Sequence, residues 1–297
     1  MTTDAVTRPT DRTGAWTRPD GGRSAAVDTP PSSAAAGSDH TPNLRARRRL
    51  RPQAGARTRR CARARYRSTV SERPILQRSV NTERALSQPR PRLRGTSHLL
   101  AALVLIPVAV GWIANAPPGR ARWAVAAFTL GMLAMFTLSA LLHLRRWDAT
   151  TYERLFRLDH SGIYLAIGGT GVALGLVGLE GWPARLLLGG SIVGVVVGIA
   201  VEWLPFAPPK GFNNAVYLTL GWIPVALLPW LWMSSGPLTV GLLLLGGVLY
   251  TSGAAVVGLR RPDPSPSWFG YHEVFHVLVI AAVIVHGVMI ARLLPDS

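Results

Sequence analysis

From Leu99 onward the chain is a succession of apolar runs, separated by short connections that hold proline, glycine and charge. A stretch of about 17 to 25 predominantly apolar residues is long enough to cross the hydrocarbon core of a bilayer as a helix. Seven such runs are present: approximately Leu99 to Ala116, Trp123 to Leu144, Ser161 to Leu179, Pro183 to Trp203, Ala215 to Met233, Leu238 to Gly258, and Phe269 to Leu294. Lipid cannot satisfy backbone polar groups, and continuous apolarity without alternation therefore predicts helices and not a barrel. Tryptophans stand near the proposed ends (Trp123, Trp147, Trp182, Trp203, Trp230, Trp268), where an amphipathic ring prefers the interface. The expected fold class is all-α, a seven-transmembrane helix bundle.

The first third of the chain differs in kind. Met1 to Ser97 holds 21 arginines, no lysine and 7 acidic residues, so most of the net +17 sits there. This segment is rich in Pro, Ser, Ala, Gly and Thr, shows no sustained periodicity, and cannot bury enough apolar surface to offset its ordering entropy. Residues 1–90 are accordingly expected to form a disordered basic extension, and residues 91–297 the membrane domain. An Arg/Ala/Pro-rich leader is also what a start codon assigned too far upstream would add. No apolar core follows a short basic start, so the segment does not read as a signal peptide. The arginine clusters lack interleaved aromatics, and no nucleic-acid partner is expected. Cys61 is the only cysteine, which excludes an intrachain disulfide and a thiolate metal cage. A transition-metal site in this chain must rest on histidine and carboxylate.

Orientation follows from the basic residues of the short connections, which are retained on the cytoplasmic side. With the N-terminus inside, that side holds Arg145, Arg146, Arg154, Arg157, Lys210, Arg260 and Arg261, preceded by Arg90, Arg92 and Arg94; the opposite side holds Arg120, Arg122, Arg185 and Arg292. The expected topology is a multi-pass plasma-membrane protein, N-terminus cytoplasmic and C-terminus outside. It places three polar features at one level. His143 ends the second span, Asp159 opens the third, and His272 and His276 open the seventh.

His272 and His276 are one helical turn apart, about 6 Å along the axis, so their rings project from one face. Two imidazoles there and a third from His143 form the ligand set of an open zinc site, with a fourth position for water. Asp159 is then placed to hold that water or act as general base, and Ser139, one turn before His143, to hydrogen-bond within the site. His98 and His160 read as interfacial residues, His160 able to bond locally beside Asp159. His286 lies about 15 Å beyond His276, too deep to share the ion. It reads as a helix-to-helix hydrogen-bond partner or as part of a substrate cavity. His272-Glu273-Val274-Phe275-His276 also matches H-E-x-x-H, in which the glutamate is the general base of a metalloprotease. A protease of that kind needs a further ligand after the motif, whereas Asp159 precedes it.

Taken together these residues resemble the hemolysin III family, part of the wider superfamily that contains the progestin and adipoQ receptors. The resemblance covers about residues 89–294. It rests on Pro91-Arg92-Leu93-Arg94-Gly95, Ser139 with His143, Leu158-Asp159-His160-Ser161, Gly247 to Tyr250, and the paired histidines continuing to His286. It implies seven helices with a cytoplasmic N-terminus and a zinc ion near the inner leaflet on His143, His272 and His276, with Asp159 and Ser139 at or around the bound water. In the adiponectin receptors that site is associated with hydrolysis of the amide bond of ceramide-like lipids, and bacterial members are linked to membrane fluidity. The chain departs from the family after Thr170, where Gly171-Val172-Ala173 stands in place of Tyr-Thr-Pro. Other residues occur between the paired histidines in the superfamily, so Glu273 is expected to face a loop or the interface.

The leading expectation is a zinc protein of membrane lipid homeostasis that hydrolyses lipid amides, its partner a membrane lipid. The alternative is a non-enzymatic receptor or regulator with a structural zinc, followed by an intramembrane metalloprotease and a pore-forming cytolysin. The spans lack the repeated charged stripe that a pore requires.

Overall fold

The computed structural model describes residues 82–205 and 211–295. Seven α-helices follow a short helical stretch at 82–87: α1 (Thr96–Asn115), α2 (Arg120–Leu144), α3 (Ala149–Val177), α4 (Gly181–Trp203), α5 (Phe212–Trp222), α6 (Leu228–Leu259) and α7 (Tyr271–Leu293). A 3₁₀ segment, Ile223–Leu227, joins α5 to α6, with Pro224 in its first turn. Among the described residues the only strand-like pairing is an isolated bridge between Ser265 and Phe269.

Among the described residues six helical stretches are long and apolar enough to cross a membrane, where seven are expected. The difference lies in Phe212–Leu259, a run of 48 residues that embraces the expected fifth and sixth spans. It is not straight. Gly236 takes φ 78 and ψ 174 ahead of Pro237, a break where the two spans were expected to meet. Part of the expected basic extension is also structured. Residues 82–87 are helical, and the Arg90 guanidinium donates to the carbonyl oxygen of Arg145. Residues 1–81 lie outside the described residues.

The helices display their apolar side chains outward as well as inward. On α1 only His98, Ala102 and Ala109 are buried, while Leu100, Leu103, Val104, Ile106, Val108 and Val110 are exposed. On α4 the same holds for Leu186, Ile192, Val193, Val196 and Val197. A water-soluble protein does not expose apolar patches of that extent. The molecule is a multi-pass membrane protein, and these faces meet lipid.

Inside, the helices approach closely because small residues line their contacts, the usual solution where lipid removes any hydrophobic drive between helices. A Cβ on Gly131 of α2 would stand 2.5 Å from the Leu165 carbonyl oxygen of α3, and one on Gly169 of α3 would stand 2.4 Å from the Ala127 carbonyl oxygen. Around this seam pack Phe128, Met132, Phe136 and Leu174, with Val279, Met289 and Ile290 of α7. We expect Gly131→Val to destabilise the protein by about 3 kcal/mol, because backbone oxygen cannot be repacked. Gly189, which has nothing within 4 Å, is the control. Thermal unfolding in detergent compares them, and equal melting of Gly131→Val and Gly189→Val would show that the helices have slack.

At the N-terminus of α3 the Asp148 carboxylate accepts the N–H groups of Thr150 and Thr151. Its bonds to Thr151 hold that carboxyl below its ordinary range. The cap fixes where the helix starts, and so the turn on which Asp159 falls.

Candidate metal centre

His143 is in the last turn of α2, and His272 and His276 are in the first turns of α7. Their ligating nitrogens all lie within 4.8 Å of one another. His143 Nε2 and His272 Nε2 are 3.2 Å apart, and the rings of His272 and His276 have centroids 4.6 Å apart. Two nitrogens held about 2.0–2.1 Å from one tetrahedral ion of zinc's size stand roughly 3.3 Å apart. The spacing of the first pair therefore fits a shared ion. The donor chemistry fits too: three imidazoles, with Nδ1 of His276 buried and lacking any hydrogen-bond partner.

Two backbone features bring α2 and α7 together at this point. Gly95, which caps α1, has φ 82, and a Cβ there would stand 2.8 Å from the His143 Cβ. Only glycine suits both the left-handed conformation and the contact. The strap before it runs alongside the lead into α7, with Arg92 N donating to the Ser267 carbonyl oxygen and Leu93 N to that of Trp268. Arg92 also lies over the Trp268 ring, 4.4 Å from its centroid.

Glu273 is neither loop-facing nor interfacial. It is 1% exposed, its Oε2 accepts the Gly270 N–H at 2.8 Å, and its Oε1 lies 3.4 Å from Nε of Arg94. The carboxylate closes the first turn of α7 and neutralises the strap's arginine. A helix N-terminus favours such an anion, and burial secures it only with a partner. Glu273 thus aims away from the imidazoles it separates in sequence.

A cavity of about 260 Å³ opens beside the triad. His143, His272 and His276 line it together with Asp159 and Ser139. Ser139 is buried and sets its hydroxyl against the Asp159 carboxylate. The sequence-expected residues therefore share one space. His286 lines the same cavity. Its Nε2, 3.3 Å from the Leu243 carbonyl oxygen, makes the expected helix-to-helix bond, and the ring fills the space beside Gly246, where a Cβ would stand 2.1 Å from Nε2.

His98 and His160 depart from expectation. His98 is 3% exposed and stacks on His276, with centroids 3.7 Å apart and planes 11° from parallel. Its position near the start of an apolar run made it resemble an interfacial residue; the strap pulls that turn inward. His160 Nδ1 lies 3.3 Å from Glu202 Oε1 and 3.2 Å from Asn213 Nδ2, and the Asn213 amide donates to Glu202 Oε2 at 3.3 Å. Glu202 escaped the sequence reading. The signal was available, since an acid in the last turn of an apolar run is costly unless partnered.

A family model described as haemolysin-III related matches residues 86–287. The chain belongs to this haemolysin-III-related family. It is 31% identical over 192 residues to the hemolysin-3 homolog of Bacillus subtilis (strain 168), covering 62% of this chain and 84% of that protein. Hemolysin-3 of Bacillus cereus is 32% identical over 167 residues, 53% of this chain and 73% of that one. The adiponectin receptor protein of Drosophila melanogaster is 27% identical over 210 residues, 64% of this chain and 47% of the receptor. The haemolysin-III-related match takes in the strap, the triad, Ser139, Asp159 and His286 alike.

Proposed function

We propose that this haemolysin-III-related chain holds zinc on His143, His272 and His276 and hydrolyses the amide bond of an acyl lipid, in the service of membrane lipid homeostasis. The observation that carries this reading is the convergence of three imidazoles from two helices on a cavity that also holds Asp159 and Ser139. Zinc bound there would polarise a carbonyl and lower the pKa of its water to about 7. The remaining work falls to the chain. Asp159 would take the proton of the attacking water and return it to the leaving amine as the amide C–N bond breaks, and Ser139 would hold the carboxylate in place. The apolar walls between the triad and His286 receive the acyl chain and exclude water from the reacting bond. Among the described residues no Lys or Arg lines the cavity, while Asp159 does, which favours a neutral amide over an anionic headgroup.

The same reading places the protein in the plasma membrane with its N-terminus cytoplasmic, on the excess of arginine at that side. It also takes Phe212–Leu259 as two crossings meeting at Gly236 and Pro237, giving seven in all. A second reading is supported by the triad's position at the end of α2 and the start of α7: there zinc serves as a staple between helices in a non-enzymatic receptor.

Fatty-acid release from N-acyl lipids by the purified protein separates the two. We expect Asp159→Ala to retain zinc and to lose activity at least ~100-fold, the usual scale for a removed general base. A zinc-loaded wild type that releases no fatty acid from any amide lipid would leave only the staple.

A further inference from the structure

Four imidazoles, not three, meet at this end of the cavity. His98 does not belong to the group of nitrogens within 4.8 Å of one another, so it is not placed to share the ion. Instead its ring lies flat against His276 and tilts against Phe136, with centroids 3.7 and 5.0 Å away. Both of its ring nitrogens are buried and neither makes a hydrogen bond of good geometry, although the His276 backbone lies close to the ring. A buried polar atom left unpaired carries a desolvation cost that nothing in the fold offsets. Phenylalanine would stack on His276 and pack on Phe136 without that cost. An imidazole in this position is worth keeping only if something outside the fold completes it, and His98 lines the cavity alongside Ser139, His143 and Asp159.

We propose that His98 donates a ring N–H to an oxygen-bearing ligand at the triad's open side, water at rest and the carbonyl of the lipid amide during turnover. The inference rests on the zinc reading above and adds a ligand-contacting residue to it. A neutral imidazole carries one donor and one acceptor, so His98 serves a bound carbonyl through one nitrogen while remaining uncharged. The stack fixes its ring plane relative to His276, and therefore relative to whatever His276 helps to hold. His98 is in this sense a specificity determinant: it favours ligands that present an oxygen there and disfavours a bare alkyl group.

The test uses the full-length protein loaded with cobalt in place of zinc, whose visible spectrum reports coordination without any need for turnover. Octanohydroxamate is the probe, since it offers oxygen to the site and an alkyl chain to the apolar walls. Wild type is expected to bind one cobalt and to shift its spectrum on titration with the probe. His98→Phe should bind the same amount of cobalt but take up the probe about tenfold more weakly, the effect of one lost hydrogen bond. His98→Met, apolar and adaptable, should weaken it equally and keeps the comparison sound if the phenylalanine variant does not fold. His98→Gln should recover part of the loss. Unchanged probe affinity in the folded Phe or Met variant would overturn the proposal by showing that the ring only packs. Loss of cobalt from either folded variant would overturn it in favour of a ligand role. A wild type that binds no cobalt would instead strike down the metal reading, and this inference with it.

Discussion

The protein with His143 and His276 both replaced by alanine is expected to purify without zinc, while wild type carries close to one ion per chain. Metal analysis of the two preparations decides it, and equal zinc in both would remove the centre from the account. The expectation is strong because, among the described residues, no fourth donor joins the cluster: His98 is not among its grouped nitrogens, and Glu273 is turned toward Gly270 and Arg94. One remaining imidazole cannot hold the ion against a chelator. The stability readout runs in parallel. A ligand that binds only the folded state stabilises it by about 2.7 kcal/mol at a hundredfold excess over its dissociation constant. Zinc addition should therefore raise the melting temperature of wild type and leave that of the double variant unmoved.

Glu273→Ala is expected to be among the most damaging single substitutions in the chain. It strips the cap from α7 and leaves Arg94, only 17% exposed, without its counter-charge. Breaking a buried pair from one side costs about 3–5 kcal/mol. Glu273→Gln keeps an oxygen for the Gly270 N–H and should lose distinctly less. Thermal unfolding in detergent gives the order, and metal content measured below the transition should stay at the wild-type level for the glutamine variant. The H-E-x-x-H reading demands the opposite pattern, with stability untouched and catalysis abolished by Glu273→Gln. A glutamine variant as stable as wild type but inert toward substrate would restore Glu273 as a general base.

The two kinds of residue differ in how openly the sequence announced them. His143, Asp159, His272 and His276 are polar groups at the mouths of apolar runs. The cost of such placement, together with one sidedness, is enough to set them at a common level before any coordinates are known. Glu273 carries the same signal but not its direction, because its partner Arg94 lies on a strap that periodicity does not reveal. The pairing of Glu202 with His160 was hidden for a related reason. Each residue alone has an innocuous explanation at a helix end, and only the crossing of α3, α4 and α5 brings them within 3.3 Å.

Apolar length alone determined that this chain enters the membrane as helices, and where most of them begin and end, because lipid admits few other structures. It located the break between the fifth and sixth expected spans to within a few residues, since Gly236 and Pro237 interrupt the run. The tertiary structure decided what those helices do to one another. Whether an imidazole near a span's end faces lipid headgroups or a neighbouring imidazole depends on the rotation of α1 about its axis. That rotation is set by Gly95 against His143 and by the strap's bonds to Ser267 and Trp268, contacts between residues far apart in the chain. Hydropathy has no access to such contacts, and for that reason His98 became visible as part of the site only once the helices were packed.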